Sequence, residues 1–377
     1  MDFQMNEETS LLRTTAEKFL SDKCPPSVAR EIMKNNRGFS ESLWKEMGEL
    51  GWLGFVYDEK FGGMGGGFFD LFVLFCEIGK ALLPSPIFCS SVMSGFLIDE
   101  GGSEEQKANF LPSITSGKRI FTVGYLDQKG GCDINSPAVR ATRGKSGDYV
   151  IDGTAILVPY AHIADTVLVY ASLLDVEEKT KPTIFAIDCQ TEGIIKTSLS
   201  TLSGESASAL IFQGVTVPPD VTIGLPGSGA DTFQRVLPKA TVLKCGEMLG
   251  GLERVLHMTV GYVKERYQFG RPLGSLQVVQ HYCADMATYL ETSRLITQQA
   301  AFLLNEGLSS KKEISMAKAW CNEAYRKTAW IAHQLHGGIG FTEEHDLHLY
   351  YKHAKECELE LNGSWHHRTI VAEEMGI

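Results

Sequence analysis

Two short segments of this chain hold residue types suited to gripping a ligand that carries phosphates and a flat ring. The first runs from Arg266 to Gln277 and the second from Gln334 to Phe341. Arg266 offers a planar fork of donors that matches paired phosphate oxygens. Gln268 and Gln277 add neutral donors and acceptors, and Phe269 can lie against a flat ring. Gln334 brings a further amide, followed by Leu335. Gly337 and Gly338 have no Cβ, so a ligand or a second backbone can approach the main chain closely there. Taken singly, the first segment also reads as a surface arginine after a helix and the second as a helix ending in glycine.

Other groupings suggest other chemistry. Seven of the ten histidines follow residue 332, and His333 with His336, like His345 with His348, has the spacing of two ligands on one helical face. No H-E-x-x-H and no cysteine cluster accompanies them, so metal binding is not the expectation. Residues 62–67 are five glycines around Met64, but no Lys-Ser or Lys-Thr follows, so a flexible turn is expected and not a phosphate cradle. The nine cysteines are scattered without a C-x-x-C pair, which reads as buried thiols in a reducing cytoplasm. A formal net charge of −11 argues against nucleic acid or an anionic membrane surface as partner, since both require a basic patch. The acidic N-terminus has no signal-peptide pattern, and the apolar run 68–83 is interrupted by Asp70, Glu77 and Lys80, so it reads as a buried helix.

The elements that must carry these residues fall into three stretches. Residues 1–117 are helical in pattern: Leu43, Trp44, Met47 and Leu50 recur at helical spacing, and Ser103 with Gln106 has the form of a capping box. Residues 118–225 change period, with β-rich runs at 119–126, 149–158, 166–171, 183–188 and 207–215, and Asp152-Gly153 reads as a hairpin turn. Residues 226–377 return to helices near 231–264, 275–305, 311–337 and 345–375. The expected class is α+β: an N-terminal helical bundle, a middle β-barrel-like domain and a C-terminal four-helix bundle.

The two segments resemble the flavin-binding signatures of the acyl-CoA dehydrogenase family, R-x-Q-F-G-x-P-[IL]-x-x-[FL]-Q and Q-x-x-G-G-x-G-[FY]. Gly51-Trp52-Leu53-Gly54 and Phe61-Gly62-Gly63-Met64-Gly65 resemble further elements of that family, and the order of helices, strands and helices agrees along nearly the whole chain. The resemblance implies FAD as cofactor, an acyl-CoA substrate and an electron-transfer flavoprotein as partner. It also implies a homo- or hetero-tetramer, with Arg266 and its neighbours on the pyrophosphate of one FAD and the Gln334–Gly338 segment on a dinucleotide bound mainly by another subunit.

Family members remove the C2 proton of the thioester with a glutamate while hydride leaves C3. Aligned on Lys352-His353-Ala354-Lys355, the usual place of that base holds Leu361, and the alternative place holds Ala240. Glu360 is the nearest carboxylate in sequence, although Glu356, Glu358 and Glu360 with Lys352 and Lys355 also read as a solvated face. In the β region the family's T-E-P-x-A-G-S-D becomes residues 124–133, and its W-I-T becomes Leu157-Val158-Pro159, whose proline has no backbone donor. These departures resemble small subunits of heteromeric bacterial acyl-CoA dehydrogenases. Two alternatives stay open: a flavoenzyme performing elimination or desulfination on an acyl-CoA, and a catalytically silent structural subunit.

Overall fold

A computed structural model describes residues 6–35, 37–128, 134–144, 147–174 and 180–377. The first helical region comprises α1 (Glu7–Lys23), α2 (Pro26–Lys34), α3 (Glu41–Glu49), α4 (Phe68–Ala81), α5 (Gly95–Gly101) and α6 (Glu104–Thr115). The capping box forms: Ser103 Oγ accepts from the Gln106 amide at 3.2 Å while Gln106 Oε1 accepts from the Ser103 amide at 3.0 Å. The glycine run before α4 is a tightly bonded turn and not a flexible one. The amides of residues 63–66 donate to carbonyls of Asp58, Gly54, Tyr57 and Phe55 at 2.8–3.2 Å, which leaves none of them for a phosphate.

The strands are β1 (Phe121–Gly124), β2 (Val139–Arg143), β3 (Tyr149–Pro159), β4 (Thr166–Leu174), β5 (Thr180–Asp188), β6 (Ile194–Leu199), β7 (Ala207–Val217) and β8 (Thr222–Ile223). They make one eight-stranded sheet in the order β6-β7-β3-β2-β4-β5-β8, with β1 parallel to the first part of β4. Asp152-Gly153 does not form the expected hairpin turn. β3 runs through it, and Gly153, at φ 131°, sits in a bulge against β7, where Asp152 Oδ1 accepts from the Gly214 amide at 2.7 Å.

The second helical region holds α7 (Gly229–Glu265), a two-stranded hairpin of β9 (Tyr267–Gln268) and β10 (Arg271–Pro272), α8 (Gln277–Asn305), α9 (Lys311–His336), α10 (Leu347–Leu359) and α11 (Ser364–Glu374). The stretch expected as one helix over 345–375 is two, because Leu361 and Asn362 take left-handed φ values of 53° and 73°. Two compact units result. One contains α1, α4, most of α7, and α8 to α11; the other contains α3, α5, α6 and the sheet. In the first unit α4 and α7 touch backbone to backbone. A Cβ on Gly79 would lie 1.9 Å from the Glu247 carbonyl oxygen, and one on Gly250 would lie 1.8 Å from that of Cys76. Eight cysteines are free thiols, six of them buried; Cys132 lies outside the described residues.

Candidate active site

The signature residues gather at one end of the helical unit. α7 stops at Glu265, and the hairpin that follows turns through Phe269 and Gly270 at φ 56° and 77°, the pair of positive φ values that a tight two-residue hairpin requires. A bulky aromatic in that conformation is an outlier, and Phe269 is 85% exposed. Arg266, Gln268 and Gln277 are exposed beside it, and among the described residues the Arg266 guanidinium makes no ion pair. At the end of α9, Gln334 is exposed and Leu335 is a core side chain, so Leu335 offers a ligand only its backbone. Gly337 closes the helix at φ 65°, and a Cβ on Gly337 or Gly338 would meet nothing within 4 Å.

Tyr262, one turn before Arg266, stacks on His336 with ring centroids 4.3 Å apart and donates its hydroxyl to the His336 carbonyl at 3.3 Å. The two segments therefore lie side by side within one chain.

The His333–His336 pair is tied to its own helix. His333 and His336 each donate Nδ1–H to the carbonyl four residues back, at 2.9 and 2.8 Å. Burial pushes His336 down to about 4, so it is neutral at physiological pH.

The two places where the resemblance puts a base are both apolar. Ala240 is buried on α7, and Leu361 is 8% exposed at the left-handed turn after α10. That turn is pinned from behind: His367, held neutral by a pKa that burial lowers to about 4, donates Nε2–H to the Leu361 carbonyl at 2.9 Å. Glu360 is not on a solvated face, as its spacing suggested. Its carboxylate meets the ammonium of Lys244 at 2.8 Å, and the Lys244 side chain is only 6% exposed. Glu358 is likewise held, by Lys355 at 3.1 Å and Arg326 at 3.5 Å.

Lys244 belongs to a buried polar network with no counterpart in the sequence reading. Ala240, Lys244 and Glu247 stand at i, i+4 and i+7 on one face of α7, and Lys244 also pairs with Glu247 at 2.7 Å. Glu247 in turn meets His353 Nε2 at 2.8 Å, and His353 Nδ1 meets the Tyr325 hydroxyl at 3.1 Å. Burial pushes the Glu247 carboxyl up, yet Lys244 and His353 together bring it down to about 2. Burial also opposes charge on His353, but Cys357, Tyr325 and Glu247 hold its pKa well above the usual value. Beneath them Lys318, fully buried, donates to Asn322 Oδ1 at 2.8 Å and the Cys357 carbonyl at 2.6 Å, and burial lowers its pKa. The sequence signal was two charges, at 244 and 247, inside the otherwise apolar run 240–252.

In the β unit, Leu157 sits at φ 51° in a second bulge of β3, exposed, while the Pro159 carbonyl accepts from Thr122 Oγ1 at 2.5 Å. Of the departing segment 124–133, residues 129–133 lie outside the described residues.

Residues 6–118 match the model of the acyl-CoA dehydrogenase N-terminal domain, and residues 227–374 match that of the C-terminal domain. The chain belongs to the acyl-CoA dehydrogenase family. Members of this family are flavin-dependent oxidoreductases acting on CH–CH groups. The chain is 28% identical to an acryloyl-CoA reductase (NADH) of Anaerotignum propionicum, over 100% of this chain and 96% of that protein. It is 29% identical to a short-chain specific acyl-CoA dehydrogenase of Clostridium acetobutylicum, over 95% of each. The structure superposes with a TM-score of 0.90 on a chain from the ChsE4-ChsE5 complex of Mycobacterium tuberculosis, at 28% identity and covering 100% and 99% of the two chains. Among the described residues no helix is long and apolar enough to cross a membrane.

Proposed function

We propose that this chain is an FAD-binding subunit of an acyl-CoA dehydrogenase that depends on a second, homologous chain for the base that removes the C2 proton. One observation carries this reading: Ala240 and Leu361, where the resemblance puts the base, are buried and apolar, and Glu360, the nearest carboxylate in sequence, is neutralised by a buried lysine. The similarity to a chain from a two-component complex supports it.

The residues present suit FAD. Arg266 is exposed with no ion pair among the described residues, Gln268, Gln277 and Gln334 supply amides, and the open space around Gly337 and Gly338 admits a dinucleotide against the backbone. Bound there, FAD supplies the hydride acceptor for C3, and an electron-transfer flavoprotein takes the electrons onward. The chain's own part is to hold the dinucleotide through Arg266 and the glutamines and to shield it with Phe269. The exposed aromatics at this end, Tyr267, Phe269 and Phe341, fit burial against another subunit in a dimer of dimers working in the cytoplasm.

Arg266→Ala removes a charge-assisted contact of about 1.5–3 kcal/mol, which weakens flavin retention by roughly 10- to 150-fold. Flavin absorbance after gel filtration checks this, and unchanged retention removes Arg266 from the site. For the base, the chain purified alone is expected to reduce a dye acceptor with saturated acyl-CoAs at about 10⁻² to 10⁻⁴ of the rate reached with a partner that carries the glutamate. Light scattering on the same samples reads the assembly. A flavin-saturated monomer that oxidises acyl-CoA rapidly defeats the proposal, and product analysis separates dehydrogenation from elimination.

A further inference from the structure

The network around Lys244 lies where the two base positions converge. Ala240 is one turn before Lys244 on α7, and Leu361 directly follows Glu360, so the 2.8 Å contact between Lys244 Nζ and Glu360 ties both positions together from behind. Lys244 faces Glu247 on its own helix and Glu360 at the end of α10. The other titratable groups around it are Cys245 on α7, His353 and Cys357 on α10, and Lys318 on α9, which stands near Lys244, Cys245, Cys357 and Glu360. Charged Lys244 and His353 match Glu247 and Glu360 one for one, so no carboxylate in the cluster is left over.

We propose that Lys244 is a positioning residue that holds the Glu360 carboxylate in this buried cluster and so keeps it from accepting the C2 proton of an acyl thioester. The inference rests on the reading that the chain lacks a base of its own. Without Lys244, Glu360 loses its counter-ion while staying half-buried, and both changes favour the protonated form and make the carboxylate a stronger base. Its side chain is then free to turn toward residue 361. The step it would perform is complete in itself: the C2–H bond breaks, the proton passes to the Glu360 carboxylate, the electron pair remains as the thioester enolate, and a solvent deuteron returns to C2. No oxidant is required.

The test is deuterium uptake at C2 of butyryl-CoA in D2O, followed by mass spectrometry, with wild type, Lys244→Met, Glu360→Gln and the double variant. Lys244→Met is expected to exchange at least about 10²-fold faster than wild type, and the double variant is expected to lose that gain. Exchange in Lys244→Met no faster than in wild type, or a gain that survives Glu360→Gln, overturns the proposal. Rapid exchange in wild type instead overturns the base-less reading on which it rests. Melting temperatures give a readout independent of turnover. Lys244→Met leaves the half-buried Glu360 carboxylate without its cation at neutral pH, so the deficit against wild type should shrink as pH falls and that carboxylate takes up a proton. Glu360→Gln should recover part of the deficit at pH 7 even where Lys244→Met is too unstable to assay. A deficit that is flat with pH and unchanged by Glu360→Gln shows that the pair is not coupled, and overturns the proposal as well.

Discussion

Leu361→Glu should turn the isolated chain into a working dehydrogenase, raising dye reduction with a saturated acyl-CoA by about 10² to 10⁴, the range that a positioned general base contributes. The turn that would present the new carboxylate is already built. Position 361 is held at φ 53° between Glu360, clamped by Lys244, and the His367 bond to its own carbonyl. A left-handed glutamate is strained no more than the left-handed leucine it replaces, since both carry an unbranched Cβ. The position is 8% exposed, so desolvation raises the basicity of the new side chain toward what C2 abstraction needs. Lys244 works in the opposite direction, and the Glu360 carboxylate beside it takes up that charge. A variant with wild-type flavin content and melting temperature but no gain in rate would show that residue 361 does not face the thioester.

What sequence reading supplied and what it missed divide along the range of the interactions. Helix periodicity and the Ser103–Gln106 cap are local, because each is settled within four residues. The strands β2 and β6 escaped for local reasons too. β2 is a short Val-Arg-Ala-Thr-Arg run whose two arginines read as a charged break, and β6 is an edge strand with no fully buried side chain. Asp152-Gly153 has hairpin chemistry, yet the same positive-φ tolerance serves a bulge, and only the pairing of β3 with β7 decides between them.

The site shows the limit more sharply. The signatures announced a dinucleotide, but that they lie together depends on Tyr262 meeting His336 across 74 residues. Glu360 read as solvated because its neighbours in sequence are charged, whereas its partner is Lys244 on another helix. Glu247 and His353, 106 residues apart, carry no shared motif. The buried cation beside Glu360 was not legible, since burial of a lysine follows from packing and not from local pattern.

Gly250→Ala and Gly261→Ala, the same substitution on the same helix, should change stability in opposite directions. In an unconstrained helix alanine is favoured over glycine by roughly 0.5–1 kcal/mol, because it loses less backbone freedom on folding. Gly261 meets that condition: it is exposed, and a Cβ there has nothing within 4 Å. At Gly250 the new methyl would stand 1.8 Å from the Cys76 carbonyl oxygen and 2.7 Å from the Lys80 amide nitrogen, both backbone atoms of α4 that no rotamer change can move. The helices would have to separate, and overpacking of this kind costs about 1–3 kcal/mol or more. Gly79 on the facing helix already abuts the Glu247 carbonyl, so there is no slack on that side. Separation would also shift the α7 backbone at Glu247, one turn from Lys244, and slacken the clamp on Glu360. Denaturant midpoints at constant slope measure both variants. Equal and small effects would mean that α4 and α7 are less closely apposed than these glycines require.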